Sequence, residues 1–593
     1  MVTRETKRLV FWSSFVALTA WPVVAWAQST SATITKHGSE IDIRSSGRIV
    51  AEALRDGSIL LEAASPPSTG FETTAAQIQP RGENTQVNDA ALDYVELLPS
   101  RRPFVNATQS ETSVAAFGQN IVVAYNSSAG FHHSIGPGVF YDRIRFTGYS
   151  VSNDGGNTWR NGFVPPAAGA WGTFGDPSIG ADRHGVFYLA HLGVDANFGD
   201  GGQFLVQVNR STDGGISWDE GAVLQVDNGN DKNWLAVGPD PIHRNRDNIY
   251  VTWSSFQPGR TELRFASSAD GGSTWAVKTI FVPTANPDPT KPQARLQFSN
   301  PVVDRVTGTL YVPFERYSFA DQDFIQMLVS DDAGESFRLA TFDIPGAPDR
   351  TLIPVTEVGE LTSCGTNNLR LTIHAGGDAG PGQFGRPRWV NASRMVLQPA
   401  LAAHNGVVYL VWHNSTSPQF GDPAASSNIL LVRSLDGGET WSAPIRINPP
   451  DATDRHHVLP AIAVGDNPFS VHVSYYTQHV DGTIDLDVVN SQDGAVTFPP
   501  QRTIRVTTTP MNLPPTNIPL TGAPTFASTN YDRTVVSCYA LGEYQSVTAA
   551  NGSVYAAWGD TRNEITQPVH PLDPISGQTH PQEDVFLQEI KAQ

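Results

Sequence analysis

Short stretches of alternating apolar and polar residues recur in pairs along the chain. The second member of each pair is richer in valine and aromatic residues, as in 122–125 and 249–253. The first members lie at 112–115, 177–180, 233–236, 301–304, 399–402, 460–463 and 545–548. Alternation with a period of two, separated by turn-forming residues, predicts half-buried strands and opposes helices. The pattern therefore predicts an all-β chain of seven repeated units.

A second repeat follows the paired strands in six of the seven units. Its pattern is Ser-x-Asp-x-(Gly)-x-(Thr/Ser)-(Trp/Phe), in which the glycine is not invariant, as in 152–159. The aspartates of the six copies are Asp154, Asp213, Asp270, Asp332, Asp436 and Asp493. The aspartate is expected to accept hydrogen bonds from the backbone of its own turn, and the glycines allow positive φ. The final aromatic ring is expected to pack between sheets, so all six aspartates are interpreted as structural.

This repeat is the Asp-box, or BNR repeat, and the chain resembles the sialidase-type β-propeller superfamily. The resemblance implies four-stranded blades around a central channel, with the boxes on one face. We predict seven blades over residues 92–593, the last without a box. Six blades with an appended sheet is the alternative, because six is the usual number in sialidases.

The ring needs one further strand to close. The seventh unit ends with 584–589 and has no outer strand after it. An unpaired edge would be left in an open ring. Residues 92–99 alternate and precede blade 1, so we predict that they pair with the C-terminal strand.

The N-terminal region is expected to lie outside the propeller. Residues 1–27 combine a basic start, an apolar run and the small-x-small sequence Ala-Trp-Ala, which predicts a secretory signal peptide. An uncleaved membrane anchor is the alternative. Residues 28–91 are interpreted as an extension or linker. The mature protein is then expected to be secreted or periplasmic and free of the membrane.

The net charge and the cysteine content of the chain indicate which binding partners and which cellular compartment to expect. The formal net charge is −19, which disfavours nucleic acid and anionic membranes as partners. Cys364 and Cys538 are the two cysteines, and in an exported protein they are expected to form one disulfide. Two separate buried thiols are the alternative. The cysteines lie in the two long connections, 345–396 and 507–543, which are expected to lie on one face of the ring.

The opposite face from the boxes is expected to carry the function. Polar residues stand just before the inner strands and just after the second strands, forming a mixed-charge rim suited to a sugar. Before the inner strands lie Glu111, Asp176, Asp231, Lys232, Glu543 and Tyr544, and after the second strands lie Glu315, Arg316, His413, Asp560 and Arg562. For any one of them, a structural hydrogen bond in a polar channel is the alternative role.

The sialidase resemblance implies a tyrosine nucleophile, an aspartate acid/base and three arginines that bind the substrate carboxylate. Tyr544 precedes the inner strand of the last unit and fits the nucleophile. Ser110 stands where sialidases have the first arginine, and Glu111 follows it. Residues 126–133 contain no acid where the acid/base is expected. The motif match therefore covers the fold and one catalytic position.

Two classes of function follow from these observations. The first is a glycoside hydrolase acting on glycans at the channel mouth, and a polysaccharide lyase would draw on the same rim. Its catalytic candidates are Tyr544, Glu543, Glu315, Asp560 and Glu111, and its substrate-binding candidates are Arg316, Arg562, Asp176, Asp231, Lys232 and His413. The second is a non-catalytic propeller that binds a glycan or a protein. No cofactor or metal is predicted, because 227–231 reads as a plain turn rather than a calcium loop.

Overall fold

The structure is a computed structural model of the 593-residue chain. It describes residues 84–89, 109–127, 144–196, 202–284, 294–318, 322–344, 346–356, 398–419, 424–451, 453–512, 541–566 and 579–591, with short pieces at 33–36, 39–42, 45, 48, 94–95, 104–105, 320 and 422. Within these residues, no helix has the length and apolar character needed to cross a membrane. The signal sequence and both cysteines lie outside them, so those predictions stay predictions.

Seven antiparallel sheets confirm the predicted seven blades, each with four principal strand positions. Blades 1 to 3 contain Gln109–Phe117, Asn120–Ser127, Thr147–Ser152 and Arg160–Phe163; then Ala170–Thr173 with Ser178–Ala181, Phe187–Asp195, Phe204–Ser211 and Ala222–Asp227; then Asn230–Pro239, Asp247–Gln257, Arg260–Ser268 and Ala276–Phe281. Ile144–Arg145 adds a parallel strand beside Ala170–Thr173.

The remaining blades repeat the pattern, in the order inner strand to outer strand. Blade 4 contains Arg295–Gln297 with Val302–Val303, Leu310–Tyr317, Gln322–Ser330, Arg338–Leu339 and Ile353–Thr356; blade 5 contains Ala400–His404, Val407–Ser415, Ser427–Ser434 and Ile445–Arg446; blade 6 contains Asp454–Val464, Val471–His479, Thr483–Ser491, Ile504–Arg505 and Met511–Asn512; blade 7 contains Ser546–Ala550, Ser553–Thr566 and Thr579–Lys591. A 3-10 turn, Pro500–Arg502, precedes the outer strand of blade 6. Each inner strand contacts the inner strands of its neighbours, so the sheets form a ring.

The ring is closed by a strand that the sequence interpretation placed in the N-terminal extension. Thr85–Gln86 pairs with Phe586 and Leu587 of the C-terminal strand. The predicted closing segment, 92–99, was wrong: Tyr94–Val95 pairs instead with Phe104–Val105. Asn88 adds side-chain hydrogen bonds to Asp584 at 2.7 Å and to the Val585 backbone at 2.7 Å. The closing segment is therefore held by hydrogen bonds from polar side chains to its partner strand, in addition to the pairing of the two strands.

Two other short strands form a hairpin before the closing segment. Thr33–Lys36 pairs with Ser39–Asp42 in antiparallel register. Both strands lie within residues 28–91, which the sequence interpretation described as an extension or linker.

The core lies between the sheets. Aromatic residues of the second strands are fully buried there, including Trp253, Trp412 and Trp558. Most of the apolar clusters join residues of adjacent blades, as in the cluster that contains Tyr188 of blade 2 and Trp253 of blade 3. Burial of rings between neighbouring sheets supplies the main apolar contact that holds the blades together.

The Asp-box turns have the predicted geometry. In the first box, Asp154 Oδ1 accepts the backbone N–H groups of Asn157 at 3.0 Å and Thr158 at 2.9 Å. Its Oδ2 accepts the Thr158 hydroxyl at 2.6 Å, and the Ser152 hydroxyl donates to Oδ1 at 2.8 Å. The same bonds recur in the other boxes, for example at Asp436. The aspartates are therefore structural, as expected.

One side chain bridges the ring near the box face. Arg305 follows the inner strand of blade 4 and donates to the Ala549 carbonyl of blade 7 at 3.3 and 3.2 Å. These blades are nearly opposite each other in a seven-membered ring. The Arg305 residue is exposed to solvent.

Candidate functional site

Three inner strands change direction at a charged residue in the left-handed region of backbone space. Glu111 has φ 57°, Asp176 has φ 54° and Lys232 has φ 43°. The strand pairing shifts at each place, or is interrupted as between Ala170–Thr173 and Ser178–Ala181. Non-glycine residues rarely adopt this conformation, and such strain gathers at functional sites. A bulge also changes the direction in which a side chain leaves its strand.

These bulges bring together residues from four blades. We call Glu111, Asp176, Asp231, Lys232, Glu543 and Tyr544 the mouth cluster; they come from blades 1, 2, 3 and 7 and are between 0% and 4% exposed. All six are rim residues predicted from the sequence. The rim residues of blades 4 and 5 were predicted with them but are arranged differently.

Close backbone approach makes the cluster compact. Gly542, with φ 81°, lies against Glu111, and a Cβ there would stand 2.5 Å from the Glu111 Cγ. A larger residue at this position would push blade 7 away from blade 1. The glycine therefore allows Glu543 and Tyr544 to reach the carboxylates of the neighbouring blades.

Two of the carboxylates accept hydrogen bonds on both oxygens. Glu111 accepts the Asn126 amide at 2.8 Å and the Glu543 backbone N–H at 3.3 Å. Asp231 accepts the Gln297 amide at 2.9 Å and the Lys232 backbone N–H at 2.9 Å. These hydrogen bonds fix the position of both carboxylates within the cluster.

Asp176 is in a different electrostatic environment. Burial raises its pKa well above the usual value, and the charges of Glu111 and Asp231 raise it further. Lys232 and a hydrogen bond from Ser45 oppose this effect without cancelling it. A carboxyl group with a raised pKa is the kind of group that general acid catalysis needs.

Lys232 is the cation of the cluster. Its Nζ lies 3.8 Å from the centre of the Tyr544 ring and 4.4 Å from that of Trp234. It makes no hydrogen bond to any side chain or backbone group that the structure describes. Burial lowers the pKa of Lys232, while Asp176, Glu111 and Glu543 act to raise it. The amine is thus held by aromatic faces and by the field of the acids.

Tyr544 lies at the centre of the cluster, but its hydroxyl is already engaged. It donates to the Pro177 carbonyl at 3.1 Å. Burial, followed by the charges of Glu111 and Asp176, raises the pKa of the phenol well above its ordinary value. The ring packs edge-on against Trp234, with the centres 4.8 Å apart. In this state Tyr544 is a neutral donor and an aromatic wall, and its role as a nucleophile stays a prediction.

The predicted residues of blades 4 and 5 border the cluster or lie apart from it. Glu315 is buried and stands opposite Gln297, whose amide donates to Asp231. Arg316 instead contacts Gln326 at 3.5 Å within its own blade. His413 is buried in blade 5. Glu315 is therefore the closest extension of the cluster toward blade 4.

The predicted pair in blade 7 holds the closure of the ring. Asp560 pairs with Arg562 at 2.5 Å and accepts the Trp558 indole N–H at 2.7 Å. Arg562 donates to Asn84 of the closing segment at 2.7 Å and lies over the Phe586 ring. None of these described contacts involves the mouth cluster. Their catalytic and substrate-binding roles stay predictions.

Two residues at the mouth were missed by the sequence interpretation. Trp234 follows Lys232 by two residues, and an indole within an otherwise small-residue inner strand could have indicated it. Ser45 donates its backbone N–H to Asp231 at 2.9 Å and its hydroxyl to the other carboxylate oxygen. It comes from a stretch with no motif, so its sequence carried no signal.

The chain has similar solved structures but no matching family model or curated sequence. No protein-family model matches the chain, and no curated protein sequence matches it. Among solved structures, a protein of unknown function from Dyadobacter fermentans is similar, with TM-score 0.36 and 12% identity over 72% of this chain and 96% of that one. A Trypanosoma rangeli sialidase has TM-score 0.35 and 12% identity over 73% of this chain and 60% of that one. The polysaccharide lyase Uly1 has TM-score 0.42 and 9% identity over 90% and 97%.

The class of the protein follows from its own geometry. Seven four-stranded sheets and repeated Asp-box turns define a β-propeller of the sialidase-like kind. The predicted resemblance is therefore confirmed at the level of the fold.

Proposed function

We propose that the protein is an exported glycoside hydrolase that acts on glycans at the channel mouth. The observation that carries this proposal is the buried carboxyl of Asp176, whose pKa is raised by burial and by the charge of Glu111, a carboxylate that accepts hydrogen bonds on both oxygens. A carboxyl with a raised pKa is suited to act as a general acid, and a second carboxylate in the same cluster is suited to act as a general base. Export is proposed from the N-terminal signal pattern in residues 1–27.

The proposed reaction uses the two carboxyl groups in turn. Asp176 donates its proton to the glycosidic oxygen as the bond from that oxygen to the anomeric carbon breaks. Glu111 accepts a proton from the water whose oxygen adds to the same carbon. One glycosidic bond and one water are consumed, and two new hydroxyl-bearing ends form. Trp234 and Tyr544 hold the Lys232 amine beside these acids.

The charge of the site favours a neutral substrate. Glu111, Asp231 and Glu543 outnumber Lys232, and Ser110 stands where a sialidase would have its first arginine. An anionic sugar would meet repulsion from these carboxylates in a site of low dielectric. We therefore propose neutral glycans, rather than sialosides, as the substrate class.

A non-catalytic glycan-binding propeller is the second candidate. The full burial of the mouth cluster favours it, and so does the engagement of the Tyr544 hydroxyl by the Pro177 carbonyl. A polar cluster whose members satisfy one another can also serve only to fix the blades.

A glycan screen of the purified mature chain tests the proposal. It compares neutral oligosaccharides with a fluorogenic sialoside and a uronic-acid glycan. On the best substrate, Glu111→Gln is expected to lower kcat/KM by about 10²–10⁴-fold. The matched control is Glu262→Gln, which alters a buried glutamate paired with Arg260 and Arg264 away from the mouth. No turnover of any glycan would favour the binding propeller, and equal loss in both variants would contradict the role of Glu111.

A further inference from the structure

One tyrosine side chain reaches from blade 7 across the mouth of the ring to blades 2 and 3. The Tyr544 hydroxyl donates to the carbonyl of Pro177, which precedes the inner strand of blade 2, at 3.1 Å. The Tyr544 ring packs edge-on against Trp234 of blade 3, with the ring centres 4.8 Å apart. The inner strand of blade 7 contacts that of blade 1, so neither blade 2 nor blade 3 is its neighbour. The side chain therefore connects blades that are not adjacent in the ring.

The rings of Tyr544 and Trp234 also hold the amine of Lys232. Its Nζ lies 3.8 Å from the centre of the Tyr544 ring and 4.4 Å from that of the Trp234 ring. Lys232 is completely buried, and its Nζ makes no hydrogen bond to any group in the described part of the chain. A buried ammonium without a hydrogen-bonded partner is costly, so its position requires a compensating attraction. The two ring faces, both within about 6 Å of the amine, supply part of that attraction.

Acids on all the blades of the mouth cluster supply the rest. The titratable groups that face Lys232 are Glu111 of blade 1, Asp176 of blade 2, Asp231 of blade 3, and Glu543 and Tyr544 of blade 7. Burial lowers the pKa of Lys232, and the charges of the four acids raise it, with Asp176 first among them. Asn233, the residue after Lys232, donates its side-chain amide to the Asp176 carbonyl at 3.1 Å. This contact fixes Asp176 against the strand that carries Lys232.

The cation has a task when Asp176 gives up its proton. As the O–H bond of this carboxyl breaks, the proton passes to the glycosidic oxygen and Asp176 is left with a negative charge. The charges of Glu111 and Asp231 oppose that ionisation, and the charge of Lys232 favours it. A fixed positive charge in a site of low dielectric therefore lowers the cost of the proton transfer.

We propose that Tyr544 and Trp234 are positioning residues, which hold the Lys232 ammonium where it stabilises the newly formed Asp176 carboxylate. The proposal rests on the proposed function, because the proton transfer is that of the hydrolase. It gives Tyr544 a role that requires its aromatic ring, whereas a nucleophile would require its hydroxyl.

Removal of the charge is the first test. Lys232→Met keeps an unbranched apolar side chain against the rings. Without the cation, the acid and the base of the site should both lose their protons at higher pH. The two limbs of the pH profile of kcat/KM are therefore expected to move up by at least about one pH unit. Lys232→Arg keeps a charge that also stacks on aromatic faces, and its limbs should lie near those of the unchanged chain. Limbs that stay in place in Lys232→Met would overturn the proposal.

Two substitutions of Tyr544 separate its ring from its hydroxyl. Tyr544→Phe keeps the ring, so the limbs should stay in place while kcat/KM falls by at most about tenfold, as for one lost neutral hydrogen bond. Tyr544→Leu removes the ring, so the limbs should move in the same direction as in Lys232→Met. A larger fall of kcat/KM in Tyr544→Phe would point to the hydroxyl and overturn the proposal. Limbs that stay in place in Tyr544→Leu would overturn it as well.

Tyr409 of blade 5 is the matched control for these two variants. Its ring is fully buried, and its hydroxyl also donates to a proline carbonyl, that of Pro468, at 3.0 Å. It lies at the box face, close to Gly494 of a box turn. Tyr409→Phe and Tyr409→Leu should lower Tm through lost packing and leave both limbs in place. Limbs that moved in Tyr409→Leu would show that lost packing alone shifts the profile, and would overturn the assignment to the cation.

The pH dependence of Tm measures the same charge without a substrate. The folded pKa of Asp176 is raised, and it rises further when the opposing charge of Lys232 is removed. The stability that this acid contributes is present below its unfolded pKa of about 3.9 and is lost as pH rises. The Tm of Lys232→Met relative to the unchanged chain should therefore fall as pH rises above about 3.9.

A double variant assigns this effect to Asp176. The fall with pH should be smaller when Lys232→Met is compared with the unchanged lysine in an Asp176→Asn background. An equal fall in both backgrounds would overturn the pairing of the two residues. A smaller fall with no turnover of any glycan would retain Lys232 as the counter-charge of Asp176 and retract the hydrolase. Turnover with unmoved limbs in Lys232→Met would retain the hydrolase and retract the counter-charge.

Discussion

The box face and the mouth face of the ring both depend on aspartate, in opposite electrostatic states. At the box face, hydrogen bonds from Thr440 and Ser434 outweigh the effect of burial and lower the pKa of Asp436 to about 2. At the mouth, burial and the charge of Glu111 raise the pKa of Asp176 well above its ordinary value. The first aspartate is stabilised as an anion by its own turn. The second is stabilised as a neutral acid by its neighbours from other blades.

The difference shows where a repeat protein can place its chemistry. Box residues recur because each solves the same local problem of reversing the chain. The mouth residues differ from blade to blade, with Glu111, Asp176 and Lys232 at corresponding bulges and Leu459 at that of blade 6. Positions that are free to differ can carry a function that needs one acid, one base and one cation.

The largest expected contrast is in catalysis. Asp176→Asn removes the proposed proton donor and should lower kcat/KM for the glycan found in the screen by about 10²–10⁴-fold. Asp436→Asn changes an equally small side chain in a box and should leave kcat/KM within about twofold, since it lies away from the mouth. If the box variant lost as much activity as the mouth variant, the assignment of the two faces would be wrong.

The same two variants should diverge in stability. Asp176→Asn is expected to raise Tm at neutral pH, by the equivalent of about 0.5–2 kcal/mol, because it replaces a buried acid by a neutral isostere. Asp436→Asn is expected to lower Tm by the equivalent of about 1 kcal/mol, because it weakens the hydrogen bonds of the turn. Thermal unfolding of both variants checks the pair.

The dependence of these effects on pH gives a sharper check. The folded pKa of Asp176 is raised, so the acid stabilises the fold below its unfolded pKa of about 3.9 and this contribution is lost as pH rises. The gain in Tm from Asp176→Asn should therefore grow as pH rises above about 3.9. The folded pKa of Asp436 is lowered, so its contribution is present above about 3.9 and lost as pH falls through about 2. A gain from Asp176→Asn that shrinks as pH rises would contradict the raised pKa.

The smallest expected effect lies within the box face itself. Ala333 has φ 62° at the box position where Gly155, Gly271 and Gly437 stand. Ala333→Gly relieves the left-handed strain of roughly 1–2 kcal/mol but adds backbone entropy to the unfolded chain, so a net gain of about 0.5 kcal/mol is expected. A small rise in Tm with unchanged turnover would support the structural role of the box, whereas a fall in turnover would not fit it.

Local patterns were sufficient to predict most of the fold. The paired strands and the box at Asp154 specify a blade within one stretch of sequence, because alternation and turn chemistry act over a few residues. Closure was predicted wrongly because it depends on contacts between distant segments. Asn84 and Asn88 tie the closing strand to distant parts of the chain through side-chain hydrogen bonds, which leave no periodic signal in the sequence.

The candidate site was predicted in part for the same reason. Position before an inner strand was enough to single out Glu111, Asp176, Lys232 and Tyr544 as rim residues. These residues come together only through the strand bulges and through the closure of the ring. The sequence therefore could not show which of them carries which role. Ser45 could not be predicted as a site residue, because its hydrogen-bond partner Asp231 is 186 residues away in the chain.

The guanidinium of Arg305 connects two blades that are three positions apart in the ring. Because Arg305 of blade 4 donates to the Ala549 carbonyl of blade 7, these hydrogen bonds add a cross-ring connection to the contacts between neighbouring blades. Separation of any one pair of neighbouring blades would therefore still leave blades 4 and 7 linked.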